Sequence, residues 1–468
     1  FTPLDPSVGD GPRLAFSNTI VRDQLGDFFK VVFLLGTIGC VLFSMRGEEL
    51  KGYRHGEYYI LMLGAVLGAM FLACSNNFLM LVLALETLSL SSYALAGYRK
   101  RDRLSAEASL KYVLYGSVAS GVMLFGISYI YGMSGTLEIR SGLLRLAMGE
   151  DSGTAVLLAF VLVISGLGFK MAAVPFHFWA PDVYQGSPTA ITAFLSTVSK
   201  AAGFAAAARV LLPLFGVSGA IVPDDVIAIR GPLLSLVQDG RLPLLFWILS
   251  VASMTLGNLV ALRQSDIKRL MAYSSIAHAG YLLMPFTVYN QAALESVLFY
   301  LFIYLFMNLG AFLVIIIMID RTGSSAIETY RGLGYRAPLL AVTLFVFLIS
   351  LTGLPPTAGF LGKLYLFKAV VGAGNDALTA AGSMTAMSWF YYSLALIGGL
   401  NTAVSLYYYM KIAKLMYFEE PETKEAPVAV PIFDRACLMV YFLPVMFLIV
   451  RYDPIYTGVV QLFEQLSP

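Results

Sequence analysis

Apolar stretches of about twenty residues follow one another along nearly the whole chain, and they leave little choice of fold. A helix of that length crosses a hydrocarbon layer with every backbone N–H and C=O paired internally, which an irregular segment cannot do. Twelve stretches are read in the 468 residues: about 28–45, 58–75, 77–98, 109–131, 155–180, 189–216, 241–262, 269–290, 292–319, 338–372, 386–416 and 431–451. The expected fold class is an all-α polytopic membrane protein, with 454–467 as a short amphipathic surface helix. Composition agrees, because 13% of residues are charged where a soluble domain carries about 25%. The net charge of +2, without a basic run interleaved with aromatics, argues against a nucleic-acid partner. Cys40, Cys74 and Cys437 each stand alone in an apolar stretch, which points to small buried hydrophobes and away from disulfides, zinc or iron–sulfur ligation. The chain opens with Phe1, and residues 1–27 hold no signal-peptide core, so the natural start is expected to precede this sequence.

Loop charge tests the helix count. Alternate connections carry Arg46, Lys51, Arg54, Arg99, Lys100, Arg101, Arg103, Arg263, Lys268, Arg269, Arg321, Arg331, Arg336 and Lys424. The others offer little beyond Arg140, Arg145, Arg230 and Arg241. That bias assigns the first set to the cytoplasmic side, and a wrong count would scramble it. Two helices are interrupted, one by Pro175 and the other by Gly353, Pro355, Pro356 and Gly359. Each is fourth in a set of five. Five is odd, so the second set enters from the opposite face as an inverted repeat, and paired broken helices mark a transport site. The expected organisation is an N-terminal segment and first helix (1–57), a first repeat (58–216), a second repeat (217–417) and a C-terminal helix with its tail (418–468).

Four ionisable residues fall near helix centres: Glu86, Lys170, Lys200 and Lys363. A charge at mid-bilayer costs on the order of 3 kcal/mol, so four chance placements make a poor explanation. Buried ion pairs fixing helix packing are a poor one too, since one acid cannot neutralise three lysines. Lysines whose charge depends on their surroundings make a proton relay. Lys111 opens its helix beside a basic loop, where snorkelling explains it as well as a relay does. His177 lies beside a break and His278 within a helix, each open to a relay or a structural role. His55 sits in a charged loop and reads as solvated. Hydroxyls at 273–275 are compatible with a water chain. No phosphate loop, nucleophile–base pair or metal-spaced cluster is present in the sequence.

The stretch Gly166-Leu167-Gly168-Phe169-Lys170, continued by Val174-Pro175-Phe176-His177-Phe178-Trp179-Ala180-Pro181-Asp182-Val183-Tyr184-Gln185-Gly186-Ser187-Pro188, resembles the N-type antiporter-like subunits of respiratory complex I, the NADH:quinone oxidoreductase. Gly257–Leu262 leading to Asp266–Leu270 and Tyr273–His278 is similar as well, and so is Gly353-Leu354-Pro355-Pro356 with Gly359–Lys363. The resemblance runs from about residue 28 to 450. It implies a proton half-channel in each repeat joined by a polar axis: Glu86 as acidic partner, Lys170 as the broken-helix lysine, Lys200 as the connecting lysine, Lys363 as the lysine of the second broken helix, and Lys111 as a further relay lysine. It also implies quinone reduction, flavin and iron–sulfur clusters in partner subunits, no cofactor in this chain, and a bacterial inner membrane, with the mitochondrial one behind it. Bacterial members of the family usually have two helices before the first one read here, so the expectation is either a segment preceding this sequence or a shortened form like those of animal mitochondria. The alternative is a subunit of a multisubunit cation/proton antiporter or membrane-bound hydrogenase; a third option is a non-conducting spacer.

Overall fold

The computed structural model describes residues 13–45, 47–148, 153–215, 236–237, 239–420 and 430–464. Arg46, Arg230 and Lys424 of the charge pattern lie outside the described residues, as do 217–235 of the second repeat and the end of the expected tail helix. A two-stranded hairpin, β1 (Arg13–Ala15) and β2 (Ile20–Arg22), precedes the helices. These are α1 (Gln24–Ser44), α2 (His55–Ala73), α3 (Phe78–Ala96), α4 (Arg103–Ser134), α5 (Ile139–Met148), α6 (Gly153–Met171), α7 (Trp179–Gly186), α8 (Thr189–Phe194) and α9 (Lys200–Phe215). They continue as α10 (Arg241–Ala261), α11 (Ile267–Leu283), α12 (Gln291–Thr322), α13 (Pro338–Thr352), α14 (Ala358–Ala381), α15 (Ala386–Phe418), α16 (Ile432–Phe447) and α17 (Asp453–Glu464). Among the described residues eight spans are long and apolar enough to cross a membrane, and Pro338–Thr352 is apolar but shorter. Length and composition alone therefore do not carry the count to twelve. The hairpin and α5 are additions that the apolar pattern did not reveal.

The two repeats are visible in their local chemistry. Helix α4 starts on Asp102, whose side chain accepts from Leu104 N–H, and ends at Gly135 in the left-handed conformation. Its counterpart α12 starts on Asn290, which accepts from Ala293 N–H, and ends at left-handed Gly323. Both are 32 residues long. The cap of α3, Asn77, bridges Glu138; the cap of α11, Asp266, bridges Ala326. Glycine repeats the pattern where helices cross. A Cβ at Gly68 of α2 would fall 2.4 Å from the Leu88 nitrogen and 2.9 Å from the Ala84 carbonyl. At Gly257 of α10 it would fall 2.7 Å from the Ala277 nitrogen and 2.8 Å from the Tyr273 carbonyl. Small residues let backbones touch where lipid gives helices no hydrophobic reason to associate.

The basic connections gather on one face. Arg99 reaches Glu49 and the Gly186 carbonyl, and the Glu49 carboxylate accepts from Thr189 N–H. Asp320 accepts from Glu48 N–H, and Gly332 N–H donates to the Leu415 carbonyl. The opposite face holds the hairpin, Ser75, Asn76 and Glu138. Between the faces, α8 and α9 are enclosed by protein up to the last turn of α9, where Leu212 and Pro213 are half-buried. The alanines at 201, 202 and 205–208 let neighbours close around them.

Candidate functional site

Lys170 stands in the last turn of α6, where the helix stops for two reasons. Pro175 has no N–H to continue the ladder. Ala172 takes φ +56°, a strained left-handed value for a residue with a Cβ. The lysine is 1% exposed, and its ammonium donates to Ser89 Oγ (3.2 Å) and Tyr112 Oη (3.4 Å). The Tyr112 ring stacks on Trp179 at 4.4 Å, and the Trp179 indole donates to the Phe169 carbonyl. Glu86, the expected partner, forms no ion pair with Lys170, and its buried Oε1 has no hydrogen-bond partner.

Lys200 opens α9 directly after a π-helical turn, Leu195–Ser199. Such turns often sit at functional positions because they re-aim a side chain. Its ammonium donates to both the carbonyl and the hydroxyl of Ser275, and Tyr184 Oη lies 3.3 Å from the same hydroxyl. Lys363 sits just past the second break. It donates to the Thr352 carbonyl at 2.8 Å, one of the acceptors left over where α13 ends. The ammonium stands 4.2 Å from the centroid of the Tyr281 ring, a cation–π contact.

Helix α11 connects these two lysines. Ser275, His278 and Tyr281 are three residues apart and share one side of the helix. Ser275 holds Lys200, Tyr281 faces Lys363, and His278 lies between Ser275 and Tyr281 on the same helix. His278 Nδ1 lies 2.6 Å from Tyr300 Oη, so one of the two donates. The structure thus sets Lys200, His278 and Lys363 along α11, with Lys170 against Ser89 and Tyr112 of the first repeat. Tyr112, Tyr184, Tyr281 and Tyr300 were not singled out in the sequence. The three-residue spacing on α11, and the equivalence of Tyr112 and Tyr300 on the paired helices α4 and α12, were the available signals.

Lys111 and His177 are placed elsewhere. The Lys111 side chain is 36% exposed and forms ion pairs with Glu107 (2.6 Å) and Asp182 (2.5 Å). Asp182 also receives Arg269 at 2.6 Å. Burial pushes the Asp182 carboxyl up, but hydrogen bonds from Lys111 and Arg269 outweigh it and hold the group below its ordinary value. His177 is 4% exposed, packs on Phe178 and leaves Nδ1 unpartnered, without a contact to any of the three central lysines. On the opposite face, Arg209 forms a doubly bonded ion pair with Asp23, both side chains 5% exposed, and donates to the Ala73 carbonyl. Among the described residues no three His, Cys, Asp or Glu side chains converge on a metal-sized site.

The family described as NADH:quinone oxidoreductase/Mrp antiporter, TM, matches residues 75–223 and again 225–388. NADH-quinone oxidoreductase subunit N of Anaeromyxobacter sp. is 43% identical over 88% of this chain and 78% of its own length. NAD(P)H-quinone oxidoreductase subunit 2 of Thermosynechococcus vestitus is 42% identical over 87% of this chain and 72% of its own. Among solved structures, a chain of respiratory complex I from Thermus thermophilus with bound aureothin superposes with TM-score 0.75 at 32% identity, covering 96% of this chain and 88% of that one. A chain of the Mrp complex from Dietzia sp. shares the fold, with TM-score 0.78 at 21% identity, over 96% of this chain and 84% of that one.

Proposed function

Because the chain belongs to the NADH:quinone oxidoreductase/Mrp antiporter family of membrane proteins, we infer that it is the N-type subunit of a bacterial respiratory complex I and carries protons along the line from Lys170 to Lys363. The observation that supports this most is the single file of proton-bearing groups on α11: Ser275 on Lys200, His278 in the middle, Tyr281 on Lys363. A hydroxyl both donates and accepts, so it passes a proton by turning its O–H, and an amine can hold the proton between transfers. Desolvated lysines give up their charge far more readily than exposed ones. The first repeat, taken as 58–216, then supplies Glu86, Ser89, Tyr112 and Lys170. The second, taken as 217–417, supplies Ser275, His278, Tyr281 and Lys363, and Lys200 joins them. Within this reading Glu86 tunes Lys170 by charge at a distance, and Lys111 stands at the mouth of the line rather than in it.

The work comes from elsewhere in the complex. Quinone reduction, flavin and iron–sulfur chemistry belong to partner subunits, and this chain's part is to hold and move protons. The fold shared with the Mrp complex keeps cation/proton antiport as the competing outcome. Greater likeness to subunit N relatives favours the first reading. Replacing Lys170 by Met in the assembled complex decides the matter. The number of protons moved per NADH into membrane vesicles is expected to collapse. Unchanged pumping by an assembled K170M complex would sink the assignment.

A further inference from the structure

We propose that Asp182 is a positioning residue for the proton line: held between Lys111 and Arg269, it sets α7 so that Trp179 meets Tyr112 beside Lys170 and Tyr184 meets Ser275 beside Lys200. The proposal rests on the proton-carrying reading above. Helix α7 has eight residues, far too few to be stable by itself. Pro175 and Pro188 stand on either side of it, so neither neighbouring helix runs into it. Its place must therefore come from contacts.

Those contacts reach both repeats. Asp182 Oδ2 takes Lys111 of α4, and Oδ1 takes Arg269 of α11. Arg269 also donates to Gln185 at 3.1 Å, and Gln185 in turn donates to Asp266 at 3.3 Å. At the C-terminal end, Lys268 donates to the Ser187 carbonyl at 2.6 Å and Arg99 to the Gly186 carbonyl at 3.2 Å, cations at the end where the helix dipole favours them. Isolated surface ion pairs hold little. Here one carboxylate is shared by two cations, each side chain no more than 36% exposed, and it ties the helix to α4 and α11 at once. Two positions on this one helix then touch the site and a third holds it: Trp179 stacks on the ring whose hydroxyl accepts from Lys170, Tyr184 shares the hydroxyl that holds Lys200, and Asp182 takes the clamp. A shift of α7 moves both lysine environments together.

The test compares Asp182→Asn, Asp182→Glu and Lys170→Met in the assembled complex, reading subunit content, NADH:quinone turnover and protons moved per NADH in vesicles. Asp182→Asn is expected to assemble and reduce quinone but to move several-fold fewer protons per NADH, with Asp182→Glu restoring most of the ratio. A merely structural role would lower the amount of complex and leave the ratio intact, and that result overturns the proposal. If Asp182→Asn fails to assemble, Arg269→Met takes its place, since methionine removes one of the two cations that hold Asp182; a normal ratio there overturns the proposal as well. Normal pumping by Lys170→Met removes the proton-carrying reading and this one with it. Normal pumping by Asp182→Asn beside a silent Lys170→Met removes only the role of Asp182.

Discussion

Gly353 shows how tightly one residue can hold a buried charge. It takes φ +87°, and a Cβ there would come within 2.6 Å of Lys363 Cδ. Gly353→Ala therefore suffers twice, in backbone strain of about 1–3 kcal/mol and in pushing the lysine off the Thr352 carbonyl. The expected outcome is a complex that assembles at reduced yield and loses proton movement as Lys363→Met does, checked by quantifying the subunit and by vesicle acidification. The buried pair on the opposite face makes a separate point. Removing one partner of a buried ion pair leaves the other uncompensated, at a cost of roughly 3–5 kcal/mol. Arg209→Met should consequently lower the amount of assembled complex sharply, while Arg209→Met with Asp23→Asn should recover part of it; thermal melting of the purified complex checks both. The three lysines were legible in the sequence because a charge inside an apolar run contradicts its neighbours. Asp23, at the edge of its run, gave no such contrast, although its partner Arg209 lay in view within an apolar helix. Sequence supplies the sign of the charges on Glu86 and Lys170 and not the 3.2 Å contact by which Ser89 takes the lysine.

At the level of the helices, the breaks and the repeat were readable because they follow from residues that act locally. Proline removes a donor wherever it stands, and a left-handed glycine ends a helix whatever packs on it. The hairpin and α5 escaped for the opposite reason, since their order comes from backbone bonds to distant segments, such as Val21 N–H to the Cys74 carbonyl and Ile139 N–H to the Asn76 carbonyl. The same repeat logic yields a paired expectation. Gly68 and Gly257 occupy matching helix crossings, each against the backbone of two residues one turn apart. Gly68→Val and Gly257→Val should force the two crossings apart equally and reduce assembled complex to a similar degree, whereas valine at Gly121, where nothing lies within 4 Å, should be tolerated. Native gel quantification of the three variants is the check; a large difference between the two crossings would mean that the repeats do not bear load alike.

Across the molecule, the arrangement poses one question: whether the two repeats carry protons along a single line or independently. The basic loops share one face, the buried hairpin-side ion pair lies on the other, and the lysines lie between, with α11 supplying consecutive contacts to Lys200 and Lys363. Lys200 belongs to the first repeat by sequence but is bonded to Ser275 of the second. On the proposed route a proton leaving Lys170 for Lys363 passes the contact between Lys200 and Ser275. Groups in series act as a unit, and removing two costs no more than removing the more important one. Groups in parallel add their effects. On the serial arrangement, Lys170→Met, Lys363→Met and the double variant should all show the same residual proton movement per NADH, and Ser275→Ala should fall towards that value without touching any lysine. Measuring all four in the same vesicles at matched subunit content separates the cases. A double variant clearly worse than either single one would mean that each repeat has its own path, and the bond between Lys200 and Ser275 would then be a packing contact between two independent conductors.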